Sequence, residues 1–132
     1  MAGYGFFAQV YDQLTENVPY DRIADYYDAK IKKFGEGEVN FLADAGCGTG
    51  NLTARMAAKG YDVIGADASP DMLSQAMNKP HDGVQYICQP MPELDLYGEA
   101  DVIISTLDSV NHLDSRADIE KFFRAAALNL RK

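Results

Sequence analysis

Leu42-Ala43-Asp44-Ala45-Gly46-Cys47-Gly48-Thr49-Gly50 is the stretch that decides the fold. An apolar run from Val39 to Ala45 enters three glycines spaced by two, and a helical pattern opens at Asn51 with Leu52 and Met56 on its inner side. Strand, glycine turn and helix in that order let a ligand approach the backbone closely and place amide donors at a helix N-terminus. Asp67 stands 21 residues after Gly46, at the end of a second apolar run, Tyr61 to Ala66. That is the place and spacing of a carboxylate that accepts hydrogen bonds from ribose hydroxyls.

Working outward, the pattern repeats. Ser69-Pro70-Asp71 starts a helix, with Ser as N-cap, Pro at the first position and Asp near the positive end of the dipole; Met72, Leu73, Ala76 and Met77 form its inner side. Gly83 to Cys88 reads as a third strand and Ala100 to Ser105 as a fourth, with the run Val102-Ile103-Ile104. Ser115-Arg116-Ala117-Asp118 opens a last helix bearing Ile119, Phe122, Phe123, Ala126 and Leu130. Short apolar strands alternating with helices predict an α/β fold, a parallel sheet with helices on both faces and right-handed crossovers. Ahead of it, Phe6, Val10 and Leu14 suggest a short helix over 5–14. Ile23, Tyr27, Ile31 and Phe34 form a stripe on a second helix over 19–34, with Pro19 in its first turn and Gly35 ending it. Residues 1–35 are thus expected to be N-terminal helices and 36–132 the ligand-binding domain. Seven aromatics lie between Tyr4 and Tyr27; they pack the helices onto the body or, for Tyr4 and Tyr20, cover a ligand.

The whole chain has 132 residues, enough for one core that buries roughly two-thirds of the unfolded surface. Its net charge of −8 argues against nucleic acid as the main partner, since phosphate neutralisation needs clustered Lys and Arg. No apolar run approaches the roughly 18 residues of a membrane span, and the start lacks the basic and apolar regions of a signal peptide, so a cytoplasmic location is expected. Cys47 and Cys88 make no disulfide framework, and in a strand order 3-2-1-4 they would stand two strand spacings apart, about 9–10 Å, beyond disulfide reach. His81 and His112 are isolated, so no metal is expected.

A dinucleotide fingerprint would need glycine at position 51, where this chain has Asn51. Asp44, two residues before the first glycine, would repel a pyrophosphate and favour an ammonium or a sulfonium. This chemistry points to S-adenosylmethionine, which has a ribose, no phosphate and a positive charge. A nicotinamide dinucleotide is the disfavoured alternative.

At these residues the sequence resembles the class I, Rossmann-like S-adenosylmethionine-dependent methyltransferases. Asp44 to Gly50 is similar to their first motif, Val63 to Leu73 to their second-strand motif, and Ile104 to Leu113 to their fourth-strand segment. Phe6 to Leu14 with Val18-Pro19-Tyr20 is similar to the start of a bacterial small-molecule branch. The resemblance implies that Asp44 and the Gly46, Cys47 and Gly48 backbone, with Asn51 following, hold the methionine moiety. It implies that Asp67 takes the ribose, Ala68 and Met72 wall the adenine, and Gln89, Pro90 and Met91 lie beside it. Ser105 to Asp108 would close the floor near the sulfonium, and Tyr4 and Tyr20 would cover the site. Asp108 is the candidate base or substrate-orienting group, a loop or cap role being the alternative.

Two departures stand out. Pro90 occupies a position where the branch usually has an Asp that accepts from the adenine amino group. The chain also resembles only the N-terminal part of the family's seven-stranded fold, which implies a Rossmann-like doubly wound parallel sheet of strand order 3-2-1-4, ending before strand five. The expected function is methyl transfer to a small-molecule acceptor, the alternative being a catalytically incomplete donor-binding fragment. The unguarded edge of strand four is expected to pair in a homo-oligomer.

Overall fold

The computed structural model describes residues 18–35, 37–80, 82–96, 98–105 and 116–130. Tyr4, the helix expected over 5–14, His81, Asp108, His112 and the Ser115 cap lie outside the described residues. Four parallel strands, β1 (Phe41–Ala45), β2 (Asp62–Asp67), β3 (Val84–Cys88) and β4 (Val102–Ile104), form one sheet in the order β3-β2-β1-β4. Helices α1 (Tyr20–Phe34), α2 (Asn51–Ala58), α3 (Pro70–Met77) and α4 (Arg116–Asn129) accompany them, with a short 3-10 turn at Met91–Glu93.

Alternate residues of each strand feed two cores, the period-2 consequence of the pleat. Leu42, Val63 and Ile104 pack with Tyr20, Ala24 and Ile31 of α1 and with Leu52 and Met56 of α2. Ala43, Ala45 and Ala66 pack on the other face with Met91, Leu94, Leu96, Ala100 and Phe122 of α4. The small residues on this second face let the 3-10 turn and α4 sit close to the sheet. Both faces are covered, as a parallel sheet requires.

Helix α1 shares the first core, so the N-terminal helix and the sheet form one packed body in this region. Polar contacts reinforce the junction: Arg55 Nε donates to Asp21 at 2.8 Å, Lys59 Nζ to Asp25 at 2.5 Å and Tyr61 Oη to Asp28 at 2.6 Å. The Tyr61 hydrogen bond holds the Asp28 carboxyl below its ordinary range, whereas burial and Asp28 push the Tyr61 hydroxyl up to about 12. The first two pairs are largely exposed and screened by solvent, so they contribute little; the apolar contacts carry the docking.

Several local expectations need correction. Phe34 and Met77 face solvent, at 67% and 57% exposure, because each lies in the last turn of its helix, beyond the sheet face. Lys30 and Lys33 lie over the Phe34 ring instead. Phe123 is likewise 59% exposed. Pro19 is the N-cap of α1 rather than a helical residue. Gly35 does end α1, in an extended conformation; a side chain there would come within 2.6 Å of the Ile31 carbonyl oxygen. Asp101, just before β4, reaches back to the start of β1. Its Oδ2 accepts from the Asn40 and Phe41 amides at 2.9 and 3.0 Å and pins the start of β1 beside β4. Asn129, which nothing in the sequence marks, ties the loop before β4 to α4: Oδ1 accepts from Leu96 N, and Nδ2 donates to Leu94 O.

Candidate functional site

The C-terminal ends of β1 and β2 and the glycine turn between β1 and α2 form the candidate site. Gly46, Gly48 and Gly50 all have positive φ, of 77°, 58° and 80°. This backbone is the one for which glycine carries no steric cost. The turn folds back on β2: the Gly46 and Cys47 amides both donate to Ala66 O, at 2.7 and 3.0 Å. Those two amides are therefore used within the protein.

Asp67 closes the same corner. Its Oδ2 accepts from Gly48 N at 2.8 Å and its Oδ1 from Ser69 N at 2.9 Å. A carboxylate has about four acceptor positions, so one bond to each oxygen leaves capacity for two hydroxyl donors. Ser69 in turn caps α3, accepting from Met72 N at 3.2 Å, with Pro70 as the first helical residue. Met72 is buried at the base of this helix and Ala68 is exposed beside Asp67.

Asp44 is buried in β1, 2% exposed. Thr53, three residues into α2, donates to its Oδ2 at 2.8 Å, while Oδ1 is cut off from solvent and has no hydrogen-bond partner. Burial is the main cause that raises this carboxyl from 3.8 to about 7; the Thr53 hydrogen bond opposes the rise and Asp67 adds to it. Unsatisfied buried carboxylate oxygens are costly, and a cation supplied by a ligand is the direct remedy. The Tyr20 hydroxyl and Ser105 Oγ are also buried without partners. Tyr20 starts α1 and Ser105 follows β4, which pairs with β1 at Asp44. The Arg55 guanidinium lies 5.4 Å from the centroid of the Tyr20 ring.

The remaining positions differ in character. Asn51 Nδ2 is 3.5 Å from Thr49 Oγ1, and Lys79 Nζ donates to Asn51 Oδ1 at 3.3 Å and to Thr49 O at 3.1 Å, tying the end of α3 to the start of α2. Burial pushes the Cys47 thiol well up, with Asp44 and Asp67 adding to the effect, so the group is an unreactive spacer at neutral pH. Gln89 clamps the loop after β3: its amide donates to Asp95 O at 2.9 Å and accepts from Asp95 N at 2.8 Å. Pro90 is exposed and caps the 3-10 turn, whereas the Met91 side chain enters the second core. From this loop the backbone and the exposed Pro90 ring face outward, not Met91. Among the described residues no three His, Cys, Asp or Glu side chains gather as a metal site, and no helix is long and apolar enough to cross a membrane.

An open parallel sheet with a glycine turn after its first strand and an acid after its second defines a nucleoside-binding α/β domain with its crevice at the strand ends. Residues 42–132 match the family described as "Methyltransferase domain", and the chain belongs to that family. It is 33% identical over 125 residues to "Putative methyltransferase YqeM" of Bacillus subtilis, covering 92% of this chain and 49% of that protein. Over 121 residues it is 28% identical to a glycine/sarcosine N-methyltransferase of Parasynechococcus marenigrum, covering 87% of this chain and 42% of that one. Among solved structures, an S-adenosylmethionine-dependent methyltransferase from Clostridium acetobutylicum superposes with a TM-score of 0.80 at 31% identity. That match covers 98% of this chain and 54% of the other. CalS10, an amino pentose methyltransferase from Micromonospora echinaspora, superposes at 0.84 with 24% identity, covering 92% and 52%, a likeness of fold. The chain spans about half the length of the curated relatives it matches.

Proposed function

We propose that the chain binds S-adenosylmethionine across the ends of β1 and β2 and forms the donor-binding part of a methyltransferase acting on a small molecule. The observation that carries this reading is the buried, unpartnered Oδ1 of Asp44 beside a glycine turn and within electrostatic reach of Asp67. The residues fit the donor: Asp44 offers an acceptor to its ammonium, and Asp67 retains acceptor capacity for its ribose hydroxyls. Ala68, Met72 and the Gln89-Pro90 backbone border the adenine, and Tyr20 and Ser105 turn polar atoms to the methionine and sulfonium end. When bound, S-adenosylmethionine supplies a methyl carbon already activated by a positive sulfur. The chain's own part is to hold that carbon in line with an acceptor and to exclude water, so no nucleophilic side chain is required.

The family, together with the donor named for the Clostridium acetobutylicum structure, supports the cofactor. The amino pentose and glycine/sarcosine enzymes among the matches support a small acceptor. Asp44 disfavours a nicotinamide dinucleotide, whose pyrophosphate would meet a buried carboxylate. Placement in the cytoplasm belongs to the same proposal.

Calorimetric titration with S-adenosylhomocysteine and with NAD tests the reading. The first should bind and the second should not. Asp67→Ala should cost roughly 1.5–3 kcal/mol, about tenfold or more in affinity, through lost hydrogen bonds to a charged acceptor. A thermal melt serves as control, because Asp67 also holds the Gly48 and Ser69 amides. Unchanged affinity in a folded Asp67→Ala protein would overturn the site.

A further inference from the structure

Asp44, Gly65 and Tyr86 occupy one row across three strands: Asp44 pairs with Gly65, and Gly65 with Tyr86. In-register partners of a parallel sheet project to the same face, here the face covered by α1 and α2. Gly65 contributes no side chain to that row. A Cβ there would lie 2.8 Å from Tyr86 Cδ1 and Cε1 and 3.1 Å from Cys47 Sγ, so the Tyr86 ring lies across β2 in the space the glycine leaves. The ring ends at the first turn of α2, where a Cβ on Gly50 would overlap the Tyr86 hydroxyl. Thr53 lies within reach of that hydroxyl and of the Cys47 thiol. Thr53 donates its single hydroxyl proton to Asp44 Oδ2 at 2.8 Å. Tyr86, Thr53 and Asp44 therefore adjoin beneath the glycine turn, with the Thr53–Asp44 hydrogen bond at the centre.

We propose that Thr53, held in place by Tyr86, is the positioning residue that fixes Asp44 through Oδ2 and leaves Oδ1 as the oxygen offered to the ammonium of the methyl donor. This rests on the donor-binding reading above. Among the described residues, the titratable groups facing Asp44 are Tyr27 from α1, Cys47 in the turn, Asp67 at the end of β2 and Tyr86 from β3; α2 presents Thr53, and β4 presents Ile104. None of these carries a positive charge, so the hydroxyl of Thr53 is what favours ionised Asp44 against burial and against Asp67. A ligand ammonium needs the ionised form, and its binding inherits the geometry and the proton affinity that Thr53 sets.

The test compares S-adenosylhomocysteine with 5′-methylthioadenosine, which keeps the adenosine and sulfur but lacks the amino and carboxyl groups. Both are titrated on either side of neutral pH into the wild type and into Thr53→Val, Thr53→Ser and Tyr86→Phe. Thr53→Val should weaken S-adenosylhomocysteine about tenfold and leave methylthioadenosine unchanged. It should also move the rise of affinity with pH to higher pH, because Asp44 then ionises less readily. Thr53→Ser should restore both properties, and Tyr86→Phe should show a smaller loss of the same selectivity. Equal weakening of both ligands by Thr53→Val and Tyr86→Phe, or no shift of the pH profile, would overturn the proposal while leaving donor binding intact. A wild type that binds neither ligand would overturn the donor-binding reading itself and this inference with it.

Discussion

Asp44 sets a conflict between stability and binding. Its carboxyl is raised from 3.8 to about 7, chiefly by burial. For an acid raised in the folded state, stability from this group is full below the unfolded value and is lost as pH climbs from about 4 through about 7. The whole shift corresponds to at most about 4 kcal/mol, withheld from the ligand-free protein at neutral pH. Asp44→Asn removes the ionisation, so we expect a higher melting temperature than wild type at pH 8, little change at pH 4 and weaker binding of S-adenosylhomocysteine. Melting curves at the two pH values check this; a variant less stable at pH 8 would refute it. The residue was legible in the sequence as a charge that repels pyrophosphate. Its burial and its bond to Thr53 were not, because they depend on how α1 and α2 close over β1. The same holds for Gln89 and Met91, whose side chains brace the loop and the core: a motif assigns a position near the ligand, and packing decides which atoms of that position face it.

At the scale of elements, the strand–turn–helix order could be read directly, since it follows from local chemistry: glycines at positive φ, Ser69 capping α3 before Pro70, and apolar runs of strand length. Register could not, and the row Asp44–Gly65–Tyr86 exists only through it. Gly65→Ala should force the Tyr86 ring aside and destabilise the fold by about 1–3 kcal/mol, the usual range for overpacking. In a Gly65→Ala, Tyr86→Leu double variant the two losses should fall short of additive, because the smaller side chain frees the space. Denaturant unfolding of the four proteins measures the coupling; strict additivity would show that ring and glycine do not interact. Asp101 and Asn129 went unread for a related reason. Each satisfies backbone groups on elements distant in sequence, and no local spacing signals such a bond.

Across the molecule, β4 is the outer strand beside β1 among the described residues, with a bridge from Ala100 to Leu130 just ahead of it, and Val102, Ile103 and Ile104 carry neither charge nor proline along it. Phe123 and Leu128 leave apolar surface exposed on α4, whose Phe122 packs in the same core as Ile103. Unpaired amides and carbonyls on an apolar edge favour pairing with another strand. We therefore expect the 132-residue chain to form dimers or larger species in light scattering, and Ile103→Lys to shift it toward monomer. A monomer at high concentration, with β4 amides exchanging freely, would show that this edge is tolerated. The order 3-2-1-4 was legible through the family resemblance; alternating strands and helices by themselves imply a parallel sheet with right-handed crossovers. The sequence by itself determined the elements, the glycine turn and the two acids, since each is a local choice of backbone conformation or charge at a fixed spacing. Only the tertiary structure decided that Asp44 is buried with one oxygen unmet, that Tyr86 crosses Gly65 to reach Thr53, and that Asp101 and Asn129 brace the sheet. Those properties arise where elements distant in the chain exclude water together, and desolvation is a property of the packed whole.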